Sequence, residues 1–176
     1  DKERQQSDVI LKETNQKLID RVEELKDKNL ETTHLVQLGE LLQTCVNIEE
    51  ASQVVAVSAQ KLFSGFSGTL YLLNDNRTLV ETATEWGGIP ESPTFFPEDC
   101  LALRSGRITV LKGESGELHC RHLGETAGVD LICAPMMAQG ESVGLLHLRP
   151  TLGGAVVLTD VKRQLATAVA EQKALR

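Results

Sequence analysis

The 176 residues carry 18 basic and 25 acidic side chains, a net charge of −7, and 41% apolar residues. That length and apolar share suit one domain of ordinary size with an extension, and the acidic balance opposes binding to nucleic-acid phosphates or anionic lipid. No apolar run approaches the roughly 20 residues of a membrane helix and no signal peptide opens the chain, so neither direct membrane insertion nor secretion is expected.

Four irregularly spaced cysteines, Cys45, Cys100, Cys120 and Cys133, do not make a secreted disulfide scaffold, which points to a reducing, cytoplasmic setting. Both ends of the chain run through helical patterns without start or stop signals, as in a piece of a longer protein. An upstream membrane anchor in that parent stays open.

From Asp1 to about Thr33 the sequence is charged and free of glycine. Leu11, Leu18 and Leu25 recur every seven residues, with Asn15, Val22 and Asn29 four places after each. With leucine at d, the a positions are Asn15, Val22 and Asn29, and a buried Asn at a fixes register in a parallel two-stranded coil at some cost in stability. Residues 1–33 are therefore read as a coiled-coil signalling helix with that dimer seam, and residues 34–176 as the domain. The alternative is a solvated single helix.

Leu35, Leu38, Leu41 and Leu42 form a broader apolar stripe, so the helix is expected to run into the domain. After a break near Asn47, Ile48 to Phe63 reads as a second helix, with Glu49 and Glu50 in its first turn. Thr69–Leu73 and Thr78–Trp86 read as a hairpin joined through Asn74–Arg77, with Gly65 and Gly68 taken as breaks before it. Residues 87–97 form a loop. Pro97-Glu98-Asp99 then starts a short helix, Cys100 to Ser105, that Gly106 stops.

Ile108–Leu111 is a short strand, and Gly113–Gly128 a polar loop containing His119-Cys120-Arg121-His122. Asp130–Ala138 and Ser142–Leu148 form a second hairpin around Gln139-Gly140-Glu141. A last helix capped by Thr159 points out of the domain. Two hairpins around an irregular middle suggest an α+β domain with one antiparallel sheet, terminal helices on one face, and loops over a cavity on the other.

The residues from about Leu35 to Arg176 resemble a GAF domain. The likeness rests on Leu41-Leu42-Gln43-Thr44-Cys45, Gly68–Asn74, Pro97-Glu98-Asp99-Cys100-Leu101-Ala102-Leu103-Arg104, Cys120-Arg121-His122-Leu123, and Cys133–Glu141 with Gly144-Leu145-Leu146. The Pro97 and Cys120 pieces resemble GAF domains found immediately before GGDEF diguanylate cyclase domains or in sensor histidine kinases, where Trp is common at the place of Leu101. The resemblance implies a sheet of five or six strands, a ligand pocket under the middle loops, and a homodimer through the N- and C-terminal helices. It also implies a sensory module of bacterial two-component or cyclic-di-GMP signalling. No output-domain motif is found, so no cyclase or kinase activity is expected of this chain.

The candidate pocket residues are Cys100, Arg104, Cys120, His122, Cys133 and His147, facing an unidentified small molecule; no cofactor is specified. Cys100, Cys120, His122 and Cys133 are also the residue types of a tetrahedral metal site, and Cys120 and His122 would share a side in an extended segment. No Cys-x-x-Cys knuckle preforms such a site, and core packing accounts for Cys100, beside Phe96 and Leu103, and for Cys133, alternating with Leu131, Pro135 and Met137. A metal is therefore not the favoured reading. Bilin attachment at Cys120 and a cyclic-nucleotide pocket are weighed and set aside for want of the surrounding sequence. Two other readings stand beside the sensor: a thiol enzyme similar to the GAF-type free methionine sulfoxide reductases, and a dimeriser without ligand.

Overall fold

A computed structural model describes residues 2–88, 92–111, 120–124 and 130–151. The expected outgoing helix from Thr159, its share in a dimer, and His119 lie outside the described residues. The chain divides into two units, Asp1–Gln37 and Leu38–Arg176. The first lies in one long helix, α1 (Lys2–Thr44), that runs on into the second. Leu11, Leu18, Val22 and Leu25 of its leading part are each about half exposed or more. Among the described residues no helix is long and apolar enough to cross a membrane.

In the second unit Leu38 and Leu42 are buried. Helix α2 (Ile48–Leu62) starts at Asn47, whose side chain accepts the Glu50 N–H at 2.8 Å, while the Glu50 carboxylate accepts the Val46 N–H at 2.9 Å. The first bond satisfies an amide the helix start leaves free, and the second ties the residue before the cap to the first turn. Val55, Ala59 and Leu62 recur at helical spacing and are fully buried, with α2 packed on the first two strands of the sheet.

The sheet has six antiparallel strands in the order β3-β2-β1-β6-β5-β4. These are β1 (Phe66–Leu73), β2 (Val80–Trp86), β3 (Thr94–Phe95), β4 (Thr109–Leu111), β5 (Leu131–Ala138) and β6 (Glu141–Pro150). The expected antiparallel sheet of five or six strands is thus present, with both hairpins. At the β5–β6 turn Gln139 and Gly140 take positive φ, 52° and 83°, the backbone of a tight hairpin.

Three details differ from the sequence reading. Gly68 is no break; it lies inside β1, where a Cβ would enter the Trp86 ring, so its missing side chain is what lets the indole cross the strand. The loop before Pro97 contains an edge strand, β3, pairing Val80 with Phe95 and Glu81 with Thr94. Phe96 does not share the buried face of Cys100 and Leu103: it is 55% exposed, and its neighbour Phe95 is the buried ring.

Period-two alternation divides the sheet into two faces. The register pairs Tyr71 with Leu145, Thr69 with His147 and Cys133 with His147. On that face Tyr71, Val80, Phe95, Leu131, Cys133 and Leu145 join Cys100, Ala102, Leu103, Cys120 and Leu123 in one buried cluster. Among the described residues this cluster fills the layer between that face and the segments 97–105 and 120–124.

Candidate functional site

The centre of that layer is built from three separate pieces of chain. Pro97 opens a 3-10 turn, Pro97–Asp99, and Cys100 follows with extended backbone before the short helix α3 (Leu101–Ser105) begins. Gly106 ends α3 in the left-handed region, φ 64°, as the sequence leads one to expect. The second piece is the turn at 120–124, closed by the Leu123 N–H donating to the Cys120 carbonyl at 3.2 Å. It is tied to the 3-10 turn by the Arg121 N–H donating to the Asp99 carbonyl at 2.9 Å. The third is strand β5, which carries Cys133 between Thr109 of β4 and His147 of β6.

These pieces bring Cys100, Cys120, His122 and Cys133 together, with one ligand atom from each lying within 4.8 Å of all the others. The Cys120 and Cys100 sulfurs are 4.0 Å apart, and Cys133 Sγ stands 4.0 Å from His122 Nε2. All three cysteines have zero exposure, and His122 has 3%. Cys120 and His122 do not project from an extended segment, as their spacing suggested; the turn delivers both inward and leaves Arg121 exposed between them.

Aromatic rings fix the imidazole. His122 stacks on Phe95 with centroids 4.1 Å apart and planes 11° from parallel, and Phe95 meets Tyr71 edge-on at 5.0 Å. The Tyr71 hydroxyl donates to the Ser92 carbonyl at 3.1 Å, anchoring that ring. His147 completes the group: its Nδ1 lies 3.2 Å from the Ile132 carbonyl and 3.6 Å from Cys133 Sγ. By contrast, His122 Nδ1 is buried without a hydrogen-bond partner among the described residues.

Packing thiols this closely splits their acidities. Contacts with Cys100, Cys133 and the His122 side chain, and the Leu101 N–H donated to its sulfur, hold Cys120 below the ordinary thiol range against the opposing effect of burial. Cys100, which shares a proton with Cys120, is pushed up to about 12, and Cys133 is raised well above the ordinary value by Cys100, Cys120 and burial. The three thiols therefore titrate as one interacting group and not independently. His147 is pushed down to about 4, first by burial and then by the nearby His122. Burial raises Tyr71 to about 12.

Of the candidate residues, Cys100, Cys120, His122, Cys133 and His147 are thus in one place. Arg104 is elsewhere: it is exposed and lines an open groove of about 570 Å³ with Arg77, Arg107, Glu141 and Ser142. In that groove Arg77 pairs with Glu141. Cys45 also stands apart, half-buried at the end of α1 with its thiol on the Leu41 carbonyl at 3.3 Å. Sequence reasoning passed over Tyr71 and Phe95. Tyr71 was accessible in principle, because alternation from Thr69 places it on the His147 face once the β1–β6 register is known.

The fold has many solved counterparts. A GAF domain from an Acinetobacter phosphoenolpyruvate-protein phosphotransferase is 12% identical with a TM-score of 0.64, covering 83% of this chain and 91% of its own. Residues 122 to 287 of a methyl-accepting chemotaxis protein match at 11% identity and TM-score 0.64, over 78% of this chain and 93% of that one. The free methionine-R-sulfoxide reductase of Neisseria meningitidis, solved with its substrate, matches at 14% identity and TM-score 0.66, over 84% and 87%. At these identities the likeness is one of fold. No curated protein matches the sequence. The family model of the GAF domain matches residues 47–176, and the chain belongs to the GAF domain family.

Proposed function

We propose that the chain is a dimeric sensory module in which the buried thiol and imidazole cluster is the element that responds, with α1 carrying the response. GAF domains are a family of sensory and regulatory modules, and signalling proteins stand among the structural counterparts. The observation that carries the reading is the convergence of Cys100, Cys120, His122 and Cys133 with no exposure above 3%. A site so closed admits an ion or a small oxidant more readily than a metabolite, which narrows the class of input. The output domain we propose in the parent protein is a diguanylate cyclase or histidine kinase, on the resemblance of Pro97–Arg104 and Cys120–Leu123.

Dimerisation is proposed through Leu11, Leu18, Val22 and Leu25, whose apolar surface is left to solvent in the single chain, with Asn15 and Asn29 setting register. Hydrogen exchange along α1 tests the reading, comparing reduced protein, peroxide-treated protein and Cys120→Ser. A change in protection across the seam on perturbing the cluster is expected. Identical exchange in all three would remove it.

One observation favours a catalytic reading: the 4.0 Å approach of the Cys100 and Cys120 sulfurs, close enough for a nucleophile and a resolving thiol. Turnover of free methionine sulfoxide with a dithiol reductant would replace the regulatory reading with that one.

A further inference from the structure

We propose that Cys100, Cys120, His122 and Cys133 form a closed tetrahedral site for a thiophilic divalent cation, zinc being the ion these donors suit. The inference rests on the reading of this cluster as the functional element and names its input.

The donor set and its dimensions are the first argument. Zinc bound at about 2.3 Å to sulfur and about 2.0 Å to nitrogen sets tetrahedral edges of roughly 3.5–3.8 Å. Edges of 4.0 Å from Cys100 to Cys120 and from Cys133 to His122 Nε2, with none above 4.8 Å, need inward movements of an ångström or less. Three soft sulfurs and one imidazole select zinc over calcium or magnesium, which take oxygen donors. Four protein donors leave no open position, so the site would hold structure and not activate water.

The second argument is His122. Packing explains three buried cysteines as small apolar groups. It does not explain a 97%-buried imidazole that faces only the sulfurs of Cys120 and of Cys133, the latter 4.0 Å from Nε2. A buried ring nitrogen held only by sulfur is a costly arrangement, and a metal bond at Nε2 replaces those weak contacts with a strong one, leaving Nδ1 to carry the ring proton.

The third is the surroundings. Thiol protons leave to solvent as the metal–sulfur bonds form, so three thiolates and a neutral imidazole around a dication carry one net negative charge. The Leu101 N–H already points at Cys120 Sγ from 3.3 Å, and His147 Nδ1 stands 3.6 Å from Cys133 Sγ, where it can donate to sulfur as well as to Ile132. Occupancy would pin the α3 entry, the 120–124 turn and β5 to one atom.

The test uses the whole chain carrying Cys45→Ser, purified without chelators. One equivalent of zinc per chain, retained through desalting and released on titrating the thiols with an organomercurial, is expected. Cobalt(II) in its place should give tetrahedral ligand-field bands and thiolate charge-transfer absorption. Cys133→Ser should lose the retained metal, and since that variant could fail to fold, His122→Cys provides the second arm: it should keep one equivalent and strengthen the charge-transfer band by about one third, from three thiolates to four. Protein that folds but holds less than a tenth of an equivalent, a weak octahedral cobalt spectrum, or a His122→Cys spectrum identical to that of the parent would overturn the proposal. Absent metal with α1 exchange still responding to oxidation would end this inference and leave the sensor reading. Bound metal with an unresponsive α1 would do the reverse.

Discussion

The neutral state of His147 makes this domain acid-sensitive in a way that one substitution should abolish. The ring is 7% exposed, paired through Cα positions with Cys133 and Thr69, and faces His122 at a centroid distance of 6.2 Å. Among the described residues no carboxylate offsets this, and burial with the neighbouring imidazole pushes its pKa down to about 4 from an ordinary 6.5. The unfolded chain therefore takes up a proton below about pH 6.5 that the folded chain refuses until about pH 4. The associated stability is present above the upper value and lost as pH falls toward the lower one. At roughly 1.4 kcal/mol for each pH unit between them, the loss comes to about 3 kcal/mol.

Urea denaturation of metal-free protein at a series of pH values measures it, with His147→Asn, whose amide nitrogen stands where Nδ1 does, as reference. The amide can still donate to the Ile132 carbonyl but takes up no proton. At pH 7 the variant should be less stable by about 1 kcal/mol, the usual worth of an imperfectly replaced hydrogen bond. The two stability curves should cross near about pH 6, and at pH 4 the variant should lead by about 2 kcal/mol, with unchanged urea slopes. Acid titration of surface carboxylates affects both proteins alike and cancels in the difference. Parallel curves from pH 7 to 4 would refute the claim that His147 is held neutral.

Other expectations follow from single contacts. Gly144→Ala would set its Cβ against the Tyr71 carbonyl as well as the Met136 methyl; the methyl can turn away but the backbone oxygen cannot, so β1 and β6 must part, at a cost above about 2 kcal/mol by denaturant titration. Asn47→Ala removes the side-chain cap of α2 and should cost about 1 kcal/mol, while Asn47→Asp, which retains an acceptor, should cost little. Leu18→Glu places a charge on the proposed seam and should shift sedimentation of the chain from dimer to monomer, whereas Val57→Glu, also exposed but on α2, should not. Disulfide-exchange labelling should find one fast thiol, Cys45, and three slow ones, with the fast phase gone in Cys45→Ser.

The elements legible in sequence were those whose cause is local. Heptad leucines mark α1, Asn47 and Glu50 mark the start of α2, and Gln139-Gly140 mark the β5–β6 turn, each through chemistry acting within a few residues. Gly68 was misread because a glycine says that room is needed without saying for what; the answer, Trp86, lies across the β1–β2 pairing. A two-residue edge strand such as β3 is too short to show alternation, and so Phe95 and Phe96 could not be ranked for burial. The residue types of the cluster were visible, but not their meeting. Cys120 is brought to Cys100 by one backbone hydrogen bond, Arg121 to Asp99, and Cys133 is set by strand register, neither of which leaves a local trace.

The same geometry indicates how a change at the cluster would travel. Tyr71, Phe95, Leu103 and Leu145 are buried in one cluster with the sulfurs, and a close-packed protein core passes displacement to its neighbours instead of absorbing it. The Cys100 carbonyl accepts the Arg104 N–H at 3.1 Å, so a shift of that residue bears on α3 along its whole length. From the middle of α3 the Leu103 carbonyl accepts the Ser142 hydroxyl at 3.5 Å, linking it to β6, which pairs with β1, on which α2 packs. Drawing four donors onto one ion, or closing Cys100 and Cys120 into a disulfide, shortens separations of 4.0 Å by different amounts and in different directions. Metal and oxidant would therefore set α3 differently, so the two inputs should be distinguishable by the protection of its amides, whatever either does to α1.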